Sequence, residues 1–259
     1  MKRKRSTADT VPTDMPKNIR KYWYRRYDMF RRFDEGIKLS NEMWFSVTPE
    51  AIALYISNQV KLRLPDAKVV LDAFGGAGGN SIQFVYDFDK VYYMDINNEN
   101  VALARHNAGV YGVRDYINFM EGDFFNLESR HLNAFESDPV DVVFLSPPWG
   151  GPAYNTQAVW NLSSCEPYPI QDVVKAALKI SPNIVLYLPR NSNLDEIVDL
   201  IPESVSNRPV LQYLCQNGHC AAVVVYIGPD FVARRDPDTI PVKEDEYEAS
   251  IAISPEDKA

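Results

Sequence analysis

The chain has 259 residues, is 46% hydrophobic and carries a formal net charge of −8, which suits one large α/β domain with extensions. There is no apolar run of about 18 residues, which argues against a transmembrane helix. The basic N-terminus is followed by no apolar stretch, so a secretory signal is not expected. Three cysteines, Cys165, Cys215 and Cys220, lack metal-ligand spacing. Their odd number argues against a disulfide framework and for a reducing, intracellular setting.

The charge is unevenly spread. Residues 1–38 hold twelve basic and five acidic residues, and residues 229–259 hold four basic and nine acidic ones. A basic head on an acidic body suggests an anionic partner such as phosphates near the head, or a solvated basic helix face.

Residues 1–16 lack apolar periodicity and read as a disordered basic terminus, with Lys2-Arg3-Lys4-Arg5 as a candidate nuclear localisation signal. Residues 17–64 form a helical extension. Tyr22, Arg26, Met29 and Phe33 follow one stripe, which predicts a helix over 17–35. Thr48 as N-cap and Pro49 at the first helical position predict a second helix, running to about residue 64.

From residue 65 the pattern becomes repeated strand and helix. Strands are predicted at 68–74, 90–96, 117–121, 140–145 and 183–188. Helices are predicted at 80–86, 99–109, 170–178 and 193–200. An antiparallel pair at 210–215 and 221–227 closes the run at residue 228, joined through Gln216-Asn217-Gly218-His219. Alternation of this kind predicts a mostly parallel sheet with helices on both faces, and the closing hairpin matches class I methyltransferases. Residues 229–259 read as an acidic tail.

Two segments carry chemistry. The first, Val69-Val70-Leu71-Asp72-Ala73-Phe74-Gly75-Gly76-Ala77-Gly78-Gly79-Asn80, is a strand, a glycine turn and a helix start. Its glycines let backbone approach a ligand, and the helix N-terminus favours a carboxylate. Asp72 at the strand end suits a cationic group. Asp95, 23 residues on, ends the second strand, where an acidic residue typically takes ribose hydroxyls. Asp123 follows the third strand, placed to accept from an adenine amine with Phe124 beside the ring. Glycines alone leave a dinucleotide-binding dehydrogenase equally open.

The second segment decides between them. Strand 142–145 runs into Ser146-Pro147-Pro148-Trp149, a motif of enzymes that methylate planar amino groups. An amine conjugated with a purine is a poor nucleophile, because its lone pair is delocalised. The Ser146 hydroxyl and the Pro147 carbonyl can each accept one N–H and fix the nitrogen for attack, and such positioning is worth up to roughly 7–11 kcal/mol. Trp149 offers a face that favours a cationic ring. These residues predict an S-adenosylmethionine-dependent methyltransferase. Taken alone they leave open an amino-methyltransferase of an internal RNA or DNA base, or a non-catalytic RNA-binding module with a relic fold, which the resemblance below would make a cap-binding one.

From about residue 21 to 228 the chain resembles the trimethylguanosine synthase family. The resemblance is carried by Trp44-Phe45-Ser46-Val47-Thr48-Pro49-Glu50, the Asp72-Ala73-Phe74 loop, Ser146 to Pro152, and Leu188-Pro189-Arg190-Asn191. It implies conversion of 7-methylguanosine caps of small nuclear and nucleolar RNAs to the 2,2,7-trimethyl form. It also implies a nuclear setting, capped RNA and RNP core proteins as partners, and a monomer. Implied donor contacts are Asp72, Phe74, Gly75, Gly76, Gly78, Asn80, Asp95, Ile96, Asp123 and Phe124, with Phe30, Thr48 and Pro49 closing over them. Ser146, Pro147 and Trp149 are the implied catalytic group. Trp149, Lys21, Tyr154, Arg190 and Asn191 are implied to hold the cap and its phosphates. Gly75 stands where the family pattern leads to cysteine, a change expected to be without consequence.

Overall fold

The computed structural model describes residues 10–200, 209–216, 219–229 and 231. The Lys2–Arg5 cluster, the Asn217-Gly218 turn and the tail beyond residue 231 lie outside them.

Seven strands form one sheet in the order β3-β2-β1-β4-β5-β7-β6. They are β1 Val69–Asp72, β2 Lys90–Asp95, β3 Ile117–Glu121, β4 Val142–Leu145, β5 Ile184–Pro189, β6 Val210–Gln216 and β7 His219–Ile227. The first five are parallel; β7 pairs antiparallel with both β5 and β6. The fold is therefore the expected one. The chain winds from β1 outward through β2 and β3, then returns to place β4 on the other side of β1. That reversal opens a crevice beyond the carboxyl ends of β1 and β4, where α/β sheets bind ligands.

Side chains alternate across the central strands. Val70, Tyr93 and Phe144 enter one core layer, and Leu71, Tyr92, Val143 and Leu145 the other. Helices α4 Glu50–Arg63, α5 Gly79–Phe84 and α6 Asn98–Val110 cover the first layer. Helices α7 Ser129–Ser137, α8 Ile170–Ala177 and α9 Leu194–Val198 accompany the second. Helix α7, absent from the predicted elements, packs His131, Ala134 and Phe135 inward from an otherwise polar segment.

The predicted helix over 17–35 is broken. It becomes two single turns, α1 Arg20–Trp23 and α2 Arg26–Met29, followed by a 3-10 turn at Phe33–Glu35. Arg26 is the cause on one side. Its buried guanidinium donates to the Trp23 carbonyl at 3.0 Å and to the Tyr27 hydroxyl at 2.8 Å, and it lies over both rings. Phe30 is the cause on the other: its backbone is extended, which turns its ring into the core. Arg26 is thus a packing residue. Arg25 pairs with Asp28 and Arg32 with Glu35, so the head neutralises part of its own charge.

A further turn, α3 Met43–Ser46, precedes α4. Thr48 does not cap α4. Pro49 is the N-cap, and the Thr48 hydroxyl instead accepts from Asn80 Nδ2 at 3.1 Å. The extension is fastened by buried Glu50, whose Oε2 accepts from the Arg31 amide at 2.6 Å and the Tyr111 hydroxyl at 2.5 Å.

The cysteine expectation is corrected as well. Antiparallel pairing sets Cys215 opposite Cys220, and the two form a disulfide; Cys165 is free and buried. No helix among the described residues is long and apolar enough to cross a membrane.

Candidate active site

A cavity of about 330 Å³ lies at the crevice. The loop after β1 forms its floor. Gly78 has φ +87°, and a Cβ there would sit 3.1 Å from Ala104 Cβ, so the turn needs glycine. The Gly76 amide donates to Asp95 Oδ2 at 2.9 Å, and the Asn97 amide donates to Asp95 Oδ1 at 2.8 Å. Burial pushes the Asp95 carboxyl up, and these amides with Asn100 pull it back.

Asp72 differs from Asp95. It is fully buried beneath the loop and is not on the cavity wall. The Ser81 hydroxyl donates to its Oδ2 at 2.6 Å, while Oδ1 is buried without a hydrogen-bond partner. Burial raises its pKa to about 7; the Ser81 hydroxyl works against that, and the charge of Asp95 adds to it. Asn80, on the wall, also has a buried Oδ1 without a partner. The orphaned Asn80 acceptor on the wall and the buried Asp72 carboxylate beneath the same loop suit a ligand that brings a hydrogen-bond donor and positive charge.

Asp123 lines the cavity, with its oxygens taken by the Phe125 amide and by Asn126 Nδ2. Phe124 packs on Phe74 with ring centroids 5.6 Å apart, making an apolar wall. Ile96 stands at the mouth, 70% exposed.

The acceptor side is built on the loop after β4. The Ser146 hydroxyl points at the Phe74 carbonyl at a long 3.4 Å, which leaves its lone pairs free to accept. Pro147 is buried and Pro148 exposed. Trp149 stands between Tyr154, edge-on at 5.1 Å, and Tyr187, tilted at 5.2 Å, and its Nε1 donates to the Tyr187 carbonyl at 3.3 Å. The free Cys165 thiol donates to the Pro148 carbonyl at 3.3 Å.

Seven of the residues singled out from the sequence are not on the cavity wall: Asp72, Gly78, Phe30, Pro49, Lys21, Arg190 and Asn191. Phe30 backs Gly79. Lys21 lies over the Tyr22 ring and exposed Arg190 reaches the Cys220 carbonyl, both away from the wall. Asn191 Nδ2 donates to the Tyr154 carbonyl at 3.1 Å and the Gln157 carbonyl at 2.9 Å. It braces the Tyr154 segment from behind. Asn191→Ala is expected to weaken 7-methyl-GTP binding several-fold and leave S-adenosylhomocysteine binding unchanged, as read by calorimetry.

The wall also contains residues that sequence reading missed, among them Glu42, Phe45, Glu166, Tyr168 and Tyr187. Tyr187 sits near the end of β5, a position that strand-end reasoning could have marked. Glu166 and Tyr168 lie in a stretch without a pattern, and the ring of Tyr168 stacks on Phe125 at 3.8 Å.

The sheet order and a single cavity with the Asp95 loop on one side and Ser-Pro-Pro-Trp on the other define a class I methyltransferase that takes its methyl from S-adenosylmethionine. The fold recurs in a methyltransferase of Porphyromonas gingivalis W83 (TM-score 0.60, 17% identity, covering 85% of this chain and 53% of that one). It recurs also in the METTL16 methyltransferase domain (TM-score 0.54, 12% identity, 76% of each chain). The family model described as RNA cap guanine-N2 methyltransferase matches residues 67–230, and the chain belongs to that family. It is 37% identical over 213 residues to the trimethylguanosine synthase of Schizosaccharomyces pombe, across 82% of this chain and 87% of the other. It is 41% identical over 179 residues to that of Saccharomyces cerevisiae, where the match covers 68% of this chain and only 56% of the relative's length. The chain is thus an enzyme that methylates the guanine N2 of capped RNA.

Proposed function

We propose that this enzyme converts 7-methylguanosine caps to the 2,2,7-trimethyl form. One observation carries the reading: Ser146, Pro147 and Trp149 face the same cavity as Asp95, Asp123 and Phe124, so donor and acceptor meet in one chamber. When bound, S-adenosylmethionine supplies an electrophilic methyl group on its sulfonium. Asp95 would take the ribose hydroxyls, Asp123 and Phe124 the adenine, and the orphaned Asn80 oxygen the ammonium end, with the buried Asp72 carboxylate adding negative charge beneath the loop. Trp149 stacks on the cap guanine, whose 7-methyl group gives it positive charge. Ser146 Oγ and the Pro147 carbonyl accept the N–H groups of the 2-amine and hold its nitrogen in place. No strong base is needed at first, because the amine gains acidity once alkylated.

Lys21 and Arg190 are proposed to reach the cap phosphates, Tyr154 to line their approach, and Phe30, Thr48 and Pro49 to close the extension over the donor. We further infer that the physiological acceptors are small nuclear and nucleolar RNAs, met in the nucleus through RNP core proteins by a monomeric enzyme. The Lys2–Arg5 cluster supports nuclear import. The test uses the full chain, S-adenosylmethionine and 7-methyl-GTP, with products weighed by mass spectrometry. Gain of one and then two methyl masses is expected, with GTP inert. A full chain that ignores 7-methyl-GTP and methylates only internal bases would sink the reading.

A further inference from the structure

Tyr93, on β2, plays no part in the scheme above, yet its ring lies directly under the donor loop. It is fully buried. A Cβ built on Gly75 would fall 2.1 Å from its Cε2 and 2.3 Å from its Cδ2. Its hydroxyl donates to the Gly76 carbonyl at 2.7 Å, and the same Gly76 donates its N–H to Asp95 Oδ2 at 2.9 Å. The Gly75 amide is tied to the Met94 carbonyl at 2.9 Å. Phe119 supports the ring with centroids 5.2 Å apart. The ring therefore cannot yield to a side chain at position 75 without moving Phe119 or the loop. Burial pushes the phenol far above its usual range, so it stays a donor at every working pH. Any side chain at position 75 would meet the Tyr93 ring as it stands here.

We propose that Tyr93 is a positioning residue of the donor site: its ring takes the volume that a side chain at position 75 would need, and its hydroxyl holds the Gly76 peptide that orients Asp95. This rests on the reading of that loop as the donor site. The residue touches neither substrate nor reacting atoms; it sets where a backbone carbonyl and a carboxylate stand. Small residue above and large residue below form one unit, so each should tolerate change only with the other.

The experiment measures S-adenosylhomocysteine binding by calorimetry, with steady-state kinetics, on the wild type, Tyr93→Phe, Gly75→Ala, Tyr93→Ala and the double variant Gly75→Ala/Tyr93→Ala. Tyr93→Phe keeps the ring and loses one hydrogen bond. Its S-adenosylhomocysteine affinity should fall about five- to ten-fold, the KM for S-adenosylmethionine should rise in step, and kcat at saturating donor and the affinity for 7-methyl-GTP should hold. Gly75→Ala should lose donor binding, and the double variant should recover part of it. Such recovery is a coupling that simple destabilisation does not produce. Unchanged donor affinity in Tyr93→Phe, or a double variant no better than Gly75→Ala, overturns the proposal while leaving the donor site intact. A folded wild type that fails to bind S-adenosylhomocysteine overturns the donor site and the proposal together. If Gly75→Ala does not fold, Tyr93→Phe decides alone.

Discussion

Trp149→Ala is expected to abolish methyl transfer to 7-methyl-GTP while S-adenosylhomocysteine affinity is retained. Trp149 is partly buried and bridges the two core layers at the cavity wall, with Tyr154 at its edge and Tyr187 beside it. An indole face over a cationic base contributes about 2 kcal/mol when desolvated, and base–aromatic stacking about 1–3 kcal/mol. Losing it should weaken 7-methyl-GTP binding roughly 10- to 100-fold, since about 1.4 kcal/mol is one decade. The rate should suffer further, because a guanine without its platform no longer presents its amine to Ser146 and Pro147. Trp149→Phe keeps an aromatic face but loses the Nε1 bond to the Tyr187 carbonyl, and should be intermediate. Cap affinity is read by fluorescence or calorimetry and the chemical step by single-turnover kinetics, with a thermal melt to confirm folding. Persistent methylation by Trp149→Ala would remove the acceptor assignment.

Asp72→Asn should separate stability from function. In the free protein burial lifts the Asp72 pKa from 3.8 to about 7. Between those values the folded state holds a proton that the unfolded chain has released. The stability associated with the neutral acid is present below about pH 4, declines as pH rises, and is gone above about pH 7. An amide of the same size has no such slope. The variant should therefore melt higher than wild type at pH 8, by an amount bounded at about 4 kcal/mol, and match it more closely at pH 5. Donor binding runs the other way. The ionised carboxylate beneath the loop is the form whose charge favours an ammonium in the cavity, so wild-type affinity for S-adenosylhomocysteine should drop as pH falls below about 7. The Asn variant should bind about 10-fold more weakly at pH 8, with little pH dependence, for loss of a buried negative charge beneath the ammonium, a difference of about 1.4 kcal/mol. Wild-type affinity in the variant at pH 8 would show that the buried charge has no part in holding the ligand.

Several features were legible because short-range physics writes them. The β1 segment and its glycine turn, the acidic residues at the ends of β1 and β2, and the proline-stiffened loop after β4 each follow from backbone preference and hydrophobic period within a dozen residues. The extension was legible only in part. The stripe over 17–35 satisfies a helical period, but the helix is broken where buried Arg26 bonds the Trp23 carbonyl and where Phe30 turns inward to back Gly79. Tertiary packing there outweighs a few tenths of a kcal/mol of propensity per residue.

The three aspartates show the limit most clearly. In the sequence they are alike, each following a short apolar strand. In the structure Asp72 is sealed under its loop with one oxygen unpaired, Asp95 is wired to the Gly76 amide, and Asp123 is engaged by its own turn. Likewise Gly75 and Tyr93 give no sign of sharing one volume, and nothing in residues 165–168 marks them as wall.

By itself, then, the sequence determined the fold class, the donor and acceptor motifs, and through its resemblance the cap as substrate, because those depend on local pattern. Only the tertiary structure decided which residues reach the cavity, which brace it from behind, and what each burial does to charge. The crossover that sets β4 beside β1 brings together loops about 70 residues apart in sequence, and the resulting desolvation and steric fit are properties of that meeting alone.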